Sequence, residues 1–147
     1  LFTNEQDVEE NDSSNIVFHS GLSAFELEDV IIEKNFEKAL VTINFLKEHD
    51  RQNSAPLIWV IAKIINSCLE SIQSSDKKAA LIKSGVWTSK ILKYLSLIQN
   101  AEPKDFFKLS EEMLRLDLMN KGVLNANVWE QIEKIILQLK DAAQPLR

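Results

Sequence analysis

The sequence predicts an all-α bundle of about six to seven helices preceded by a polar N-terminal arm, and three observations predict it. Only three glycines and three prolines interrupt 147 residues. No alternating apolar-polar run of strand length occurs, so no sheet is expected. Apolar residues recur instead at three- and four-residue spacing, which gathers them on one side of a helix. With 45% hydrophobic and 27% charged residues, the composition is that of a folding chain, and the length suits one domain whose core needs neither disulfide nor metal.

Residues 1–20 are polar and acidic, with "NIVFH" as the one apolar cluster, and read as an arm or linker. The opening "LFTNEQDVEENDSSN" has neither the basic start nor the apolar stretch of a signal peptide. With leucine first rather than methionine, the chain reads as a piece of a longer protein.

The first firm helix starts at Ser23, which forms an S-x-x-E capping box with Glu26, places Phe25, Leu27, Val30 and Ile31 on its apolar side and runs to about Lys34. A second follows Asn35 with Phe36, Ala39, Leu40, Ile43 and Leu46 in one stripe and ends near His49. Ser54 caps a third, with Pro56 in an early position where its missing N–H costs little. Between Leu57 and Ile72 apolar residues cover most of that helix, leaving Lys63, Ser67, Glu70 and Ser74 as a narrow wet strip, so neighbours on at least two sides are expected. Lys63 and Asn66 break this run, which therefore reads as a core helix and not as a membrane span of about 18 apolar residues.

Asp76 caps a short helix that Gly85 terminates, and the apolar residues just past the glycine, Val86 and Trp87, suit folding back on the last turn. A buried Trp87 would fix the angle to the next helix, capped by Thr88 or Ser89 and carrying Ile91, Leu92, Tyr94, Leu95 and Ile98. The alternative is an exposed tryptophan that awaits a partner. Pro103 opens a sixth helix closed by Gly122, and Asn125 or Asn127 starts a seventh striped with Val128, Trp129, Ile132, Ile135, Ile136 and Leu139. Short connections predict antiparallel packing of successive helices.

Chemistry finds little to work with. His19, His49 and the single Cys68 are far apart in sequence and supply no metal-ligand cluster; Cys68 reads as a small buried hydrophobe, and its solitude fits a reducing cytoplasm. Gly21, Gly85 and Gly122 are too scattered to cradle a phosphate, and no serine sits in a tight glycine-flanked turn. The carboxylate pairs Glu111–Glu112 and Glu130–Glu133 lie on helices rich in solvated charge, where acid-base catalysis is disfavoured. A sequon at Asn11 has no accompanying sign of secretion. No cofactor and no catalytic residue is expected.

One group mixes basic and aromatic residues: Lys83, Trp87, Lys90, Lys93 and Tyr94. Such a mixture can hold single-stranded or primer-template nucleic acid. A net charge of −5 argues against direct DNA contact and gives no attraction to an anionic membrane. The same residues serve equally as contacts for a protein partner.

The order of segments resembles the C-terminal region of the delta subunit of bacterial DNA polymerase III, a clamp-loader component. "FELEDVIIEKNFEKALVTINFLKEHDRQNSAPLIWVIAKIINSCLE" is similar to the family's hallmark helix pair, with Lys63 where arginine is usual. "SGVWTSKILKYL" corresponds to a turn with valine or isoleucine, often tryptophan, then a long amphipathic helix. "LSEEMLRLDLMNKG", with Asp117 and Lys121, resembles the penultimate helix, and "VWEQIEKIILQL" the last.

The likeness spans about residues 23–141. It implies that residues 1–20 end the preceding lid-like domain or its linker and that residues 21–147 form the helical collar. The collar would be a non-catalytic, cytoplasmic oligomerisation domain that joins gamma/tau and delta-prime type subunits in a ring. The sliding clamp would be touched only by an N-terminal domain that lies outside this chain.

Overall fold

The computed structural model describes residues 24–145. The polar arm, the Asn11 sequon, His19 and the Ser23 cap lie outside the described residues. Among these residues helix α1 covers 24–32, followed by α2 (Phe36–His49), α3 (Ala55–Ile72), α4 (Lys77–Lys83), α5 (Ile91–Ile98), α6 (Pro103–Asn120) and α7 (Val128–Ala143). A 3-10 turn, Thr88–Lys90, leads into α5, and no strand occurs among the described residues. The all-α class is as predicted.

Short polar side chains start three of the helices by accepting from amides that the first turn leaves free. Asn35 accepts from Lys38 N at 3.2 Å, Asp76 from Ala79 N at 3.0 Å, and Asn127 from Trp129 N and Glu130 N at 2.9 and 3.2 Å. Asn127, not Asn125, is thus the cap of α7. Ser54 makes no cap bond; its hydroxyl donates to Asn120 Oδ1 at 3.1 Å and ties the start of α3 to the end of α6. Thr88 and Ser89 do not cap either, because the chain enters α5 through the 3-10 turn, whose Lys90 N–H bonds to Trp87 O at 2.8 Å.

Three helices end in the same device. After α4, Gly85 takes φ +98, its N–H bonds to Ile82 O, and Val86 N–H bonds back to Leu81 O at 3.0 Å, the paired closure of a Schellman motif. Gly122 (φ +80) does the same after α6, with Val123 N–H to Leu118 O at 2.9 Å. At the end of α1 the left-handed position is held by Lys34 (φ 65), with Asn35 N–H to Val30 O at 3.0 Å. A side chain there meets the Cβ penalty that glycine avoids. Because Lys34 already serves as the closing residue, α1 stops at residue 32, short of the expected end.

The core runs through every helix. Leu57, Val60, Ile61, Ile64, Ile65 and Cys68 of α3 are buried, and α3 packs on α6, α4 and α5. With 18 residues of mean hydropathy 1.4, α3 is apolar enough to cross a membrane by composition; in this fold Leu57, Val60, Ile61, Ile64, Ile65 and Cys68 pack inside the bundle while Trp59 stays exposed. Its wet strip is shifted from the expected one. Ser67 is buried with its hydroxyl 3.1 Å from that of Ser84, whereas Trp59, Asn66 and Glu70 face outward. Successive helices pair for α3–α4, α4–α5 and α6–α7, but α2 packs chiefly on α7. Trp129, buried in α7, donates Nε1–H to Arg51 O at 3.1 Å and fixes that helix to the α2–α3 connection.

Two substitutions probe these closures. Lys34→Gly should raise the unfolding free energy in urea by roughly 0.5–1 kcal/mol, the left-handed penalty less the extra chain entropy of glycine. Gly85→Ala should lower it by about 1 kcal/mol, although an added Cβ would meet nothing within 4 Å; the cost is conformational alone.

Candidate functional site

Helix α1 turns Ala24, Leu27, Glu28 and Ile31 inward, a three- and four-residue spacing that puts a carboxylate on the apolar face. Glu28 is only 5% exposed. Its Oε2 accepts from the Tyr94 hydroxyl at 2.6 Å and lies 3.4 Å from Lys63 Nζ; its Oε1 accepts from Lys90 Nζ at 2.8 Å. Asp29 adds a second anion 3.4 Å from Lys90 Nζ. One carboxylate thereby joins α1, α3 and α5.

The proton equilibria follow from that geometry. Burial alone would push the Glu28 carboxyl up, but the hydrogen bonds from Lys90 and Tyr94 and the charges of Lys63 and Lys90 hold it below the usual carboxylate range. Burial would likewise lower Lys90, and the bond to Glu28 with the charges of Glu28 and Asp29 raises it instead. Burial, then the adjacent carboxylate, pushes the Tyr94 phenol up. At neutral pH the cluster is an ionised Glu28 between two ammonium groups and a phenol that donates.

Above this cluster lies an open cleft of about 240 Å³ lined by Phe25, Glu28, Trp59, Val60, Lys63, Trp87 and Lys90. Its rim is aromatic and exposed: Phe25 65%, Trp59 61% and Trp87 70%. Lys63 Nζ is 5.9 Å from the Trp59 ring centroid and Lys90 Nζ is 5.3 Å from that of Trp87, both within cation-π range. Exposed aromatics grouped in this way mark a surface built for contact.

Trp87 is therefore not the buried plug that its place in the sequence suggested. The Schellman closure uses Val86, 5% exposed, as the residue that folds back on α4. Trp87 follows in extended backbone (φ −65, ψ 143), where consecutive side chains take opposite sides, so burying Val86 turns the indole to solvent. Phe25 is likewise outside the stripe assigned to it, one position from the inward Ala24. Leu92, expected among the apolar contacts of α5, is 79% exposed, while Leu97 is buried in its stead.

The five residues singled out in the sequence are dispersed by the fold. Tyr94 is fully buried with its hydroxyl on Glu28 and is no surface contact. Lys90 is committed to Glu28 and Asp29, and Lys93 to Glu33 at 2.9 Å. Lys83 is exposed and forms no ion pair with another described residue. Only Trp87 and Lys90 line the cleft, joined there by Phe25, Trp59, Lys63 and Glu28, which the sequence reading assigned elsewhere or passed over. A signal existed: Glu28, Lys63 and Lys90 are opposite charges set beside apolar runs, in positions where a charge needs a partner.

Elsewhere the charged residues serve packing. Gln131 donates to Glu112 O and Oε1 at 3.1 and 2.7 Å, clamping α6 to α7, and Asp117 pairs with Lys121 at 2.8 Å on the surface of α6. Cys68 is buried, and burial pushes its thiol up, so the neutral form persists. No cluster of three or more His, Cys, Asp or Glu suited to a metal occurs among the described residues. Comparison of the chain with protein-family models, with curated proteins and with solved structures finds no match.

Glu28→Gln should destabilise the fold by about 2 kcal/mol at pH 7, since Lys63 loses its anion, Lys90 keeps only Asp29, and both retain partial access to water. Because the folded carboxyl is depressed, its contribution is complete above the usual carboxylate range and vanishes as pH falls through the lower folded value. Denaturant titrations of both proteins from pH 7 to pH 2 should therefore converge at the acid end.

Proposed function

We propose that this chain is the non-catalytic collar of a clamp-loader delta subunit of DNA polymerase III, joining gamma/tau and delta-prime type subunits in the bacterial cytoplasm. The ordered run of segments that resembles that family supports the reading, and so does the helical bundle with which they coincide. The observation that carries it is apolar surface left in register on outer helix faces. Val41 and Phe45 on α2 are 68% and 38% exposed; Phe107 and Leu114 on α6 are 48% and 62% exposed. Spacings of four and seven place each pair on one face, and such faces are what association between helical neighbours buries, at about 25 cal/mol per Å² less the cost of association.

Mixing the chain with the collar regions of its partner subunits should give a complex by sedimentation at micromolar concentration. Phe45→Glu and Leu114→Glu should weaken it by roughly tenfold or more each if these side chains are anchors. A chain that stays monomeric while the full-length subunits assemble would remove the collar as the determinant.

A second reading has one observation in its favour, the exposed indoles of Trp87 and Trp59 beside lysines. Stacking of bases on such rings is the way single-stranded nucleic acid is held without sequence preference, at about 1–3 kcal/mol per base. Anisotropy of a labelled primer-template oligonucleotide at low salt should rise with this protein, and Trp87→Ala should cost about tenfold or more. No rise at low salt removes this reading and leaves the first intact.

A further inference from the structure

We infer that Glu28 is the positioning residue of the aromatic cleft: it holds the ammonium groups of Lys63 and Lys90 beside Trp59 and Trp87 and, together with Asp29, cancels their charge, so that the cleft grips a base by its ring with little pull on phosphate. The inference deepens the nucleic-acid reading above and rests on it for its ligand.

The lysines at the rim would ordinarily be read as phosphate contacts, and the geometry assigns them elsewhere. Lys90 Nζ is 2.8 Å from Glu28 and 3.4 Å from Asp29, and Lys63 Nζ is 3.4 Å from Glu28. Two cations therefore face two anions, and the sum at the mouth is near zero. Their side chains keep only 27% and 22% exposure, against 7% for the carboxylate. Extending either ammonium to a phosphate would take from a buried carboxylate one of the two cations that offset its burial, a cost that a freely exposed lysine does not meet.

Each indole meanwhile has a lysine within cation-π distance and remains more than half exposed. A base can stack on the exposed ring while the lysine stays paired. Because few counterions are released from a strand whose phosphates find no free cation, binding should weaken only slightly as salt rises. The Tyr94 hydroxyl, 2.6 Å from Oε2, adds a neutral hydrogen bond to the carboxylate, which the two lysines hold by charge.

Glu28→Gln tests this without relying on any ligand. Quenching of the exposed indoles by iodide and by caesium compares their access to an anion and a cation, and the buried Trp129 contributes little to either. Referred to the quenching of free tryptophanamide by the same ion, iodide and caesium should reach the wild-type indoles to a similar degree; in the variant the iodide-to-caesium ratio should rise about twofold or more as loss of one anion leaves the mouth positive. Acrylamide, being neutral, should quench both proteins alike, which separates a charge effect from unfolding.

The second arm uses a labelled oligothymidylate across a salt series. The wild type should show a shallow salt dependence, and the variant a slope steeper by about 0.7, one phosphate contact on a single strand. Tyr94→Phe, which keeps both ion pairs, should leave the quenching ratio at the wild-type value. An unchanged ratio in Glu28→Gln, or a steep salt slope in the wild type, overturns the inference. Absence of oligonucleotide binding with a raised ratio overturns the nucleic-acid reading and sustains the role of Glu28.

Discussion

The fold depends on α3, a helix apolar around most of its circumference that must be surrounded to exist in water. A rod with Leu57, Ile61, Ile64, Ile65 and Cys68 all inside demands neighbours on several sides, and α6, α4 and α5 supply them. The rest of the architecture can be derived from that demand. The α4–α5 turn has to be tight enough to bring two short helices against one long one, and α7 bridges α6 back to α2.

The tight turn is also what produces the cleft. Gly85 closes α4 with Val86 folded inward, and a chain in extended geometry cannot bury two neighbours on the same side. Trp87 is put outside by the residue that precedes it. Trp59 on α3 and Phe25 on α1 flank the same opening, so two helices and the α4–α5 connection each contribute an aromatic that the core does not accommodate. Below them the core accepts a charge, Glu28, because Lys63 of α3, Lys90 of the 3-10 turn and Tyr94 of α5 converge on it. Stability and surface chemistry meet at this carboxylate: the group that ties α1 to the bundle also decides what charge the cleft presents.

Helices were legible because their signals are local. Asn35, Asp76 and Asn127 cap the helices whose starts they marked, Gly85 and Gly122 close those whose ends they marked, and the stripe of α7 is buried as its spacing required except at Val128, which is half-buried. Where a residue has two local options the reading failed. Ser54 could cap α3 or reach across to α6, and the proximity of Asn120 made the second available. Ser67 was counted as solvent-facing because serine is polar, yet its hydroxyl is satisfied by Ser84 across the α3–α4 contact.

By itself the sequence determined the all-α class, the identity of most core residues, and the positions of breaks, since capping, glycine closure and helical periodicity act over a few neighbouring residues. Only the tertiary structure decided that Trp87 faces solvent, that Tyr94 does not, and that Glu28, Asp29, Lys63 and Lys90 form one cluster in which two anions meet two cations. Those outcomes depend on which of two adjacent apolar residues a turn buries, and on ion pairs between residues as far apart as 62 positions. Such distances and choices are fixed by how the helices pack, a constraint that no local stretch of the chain contains.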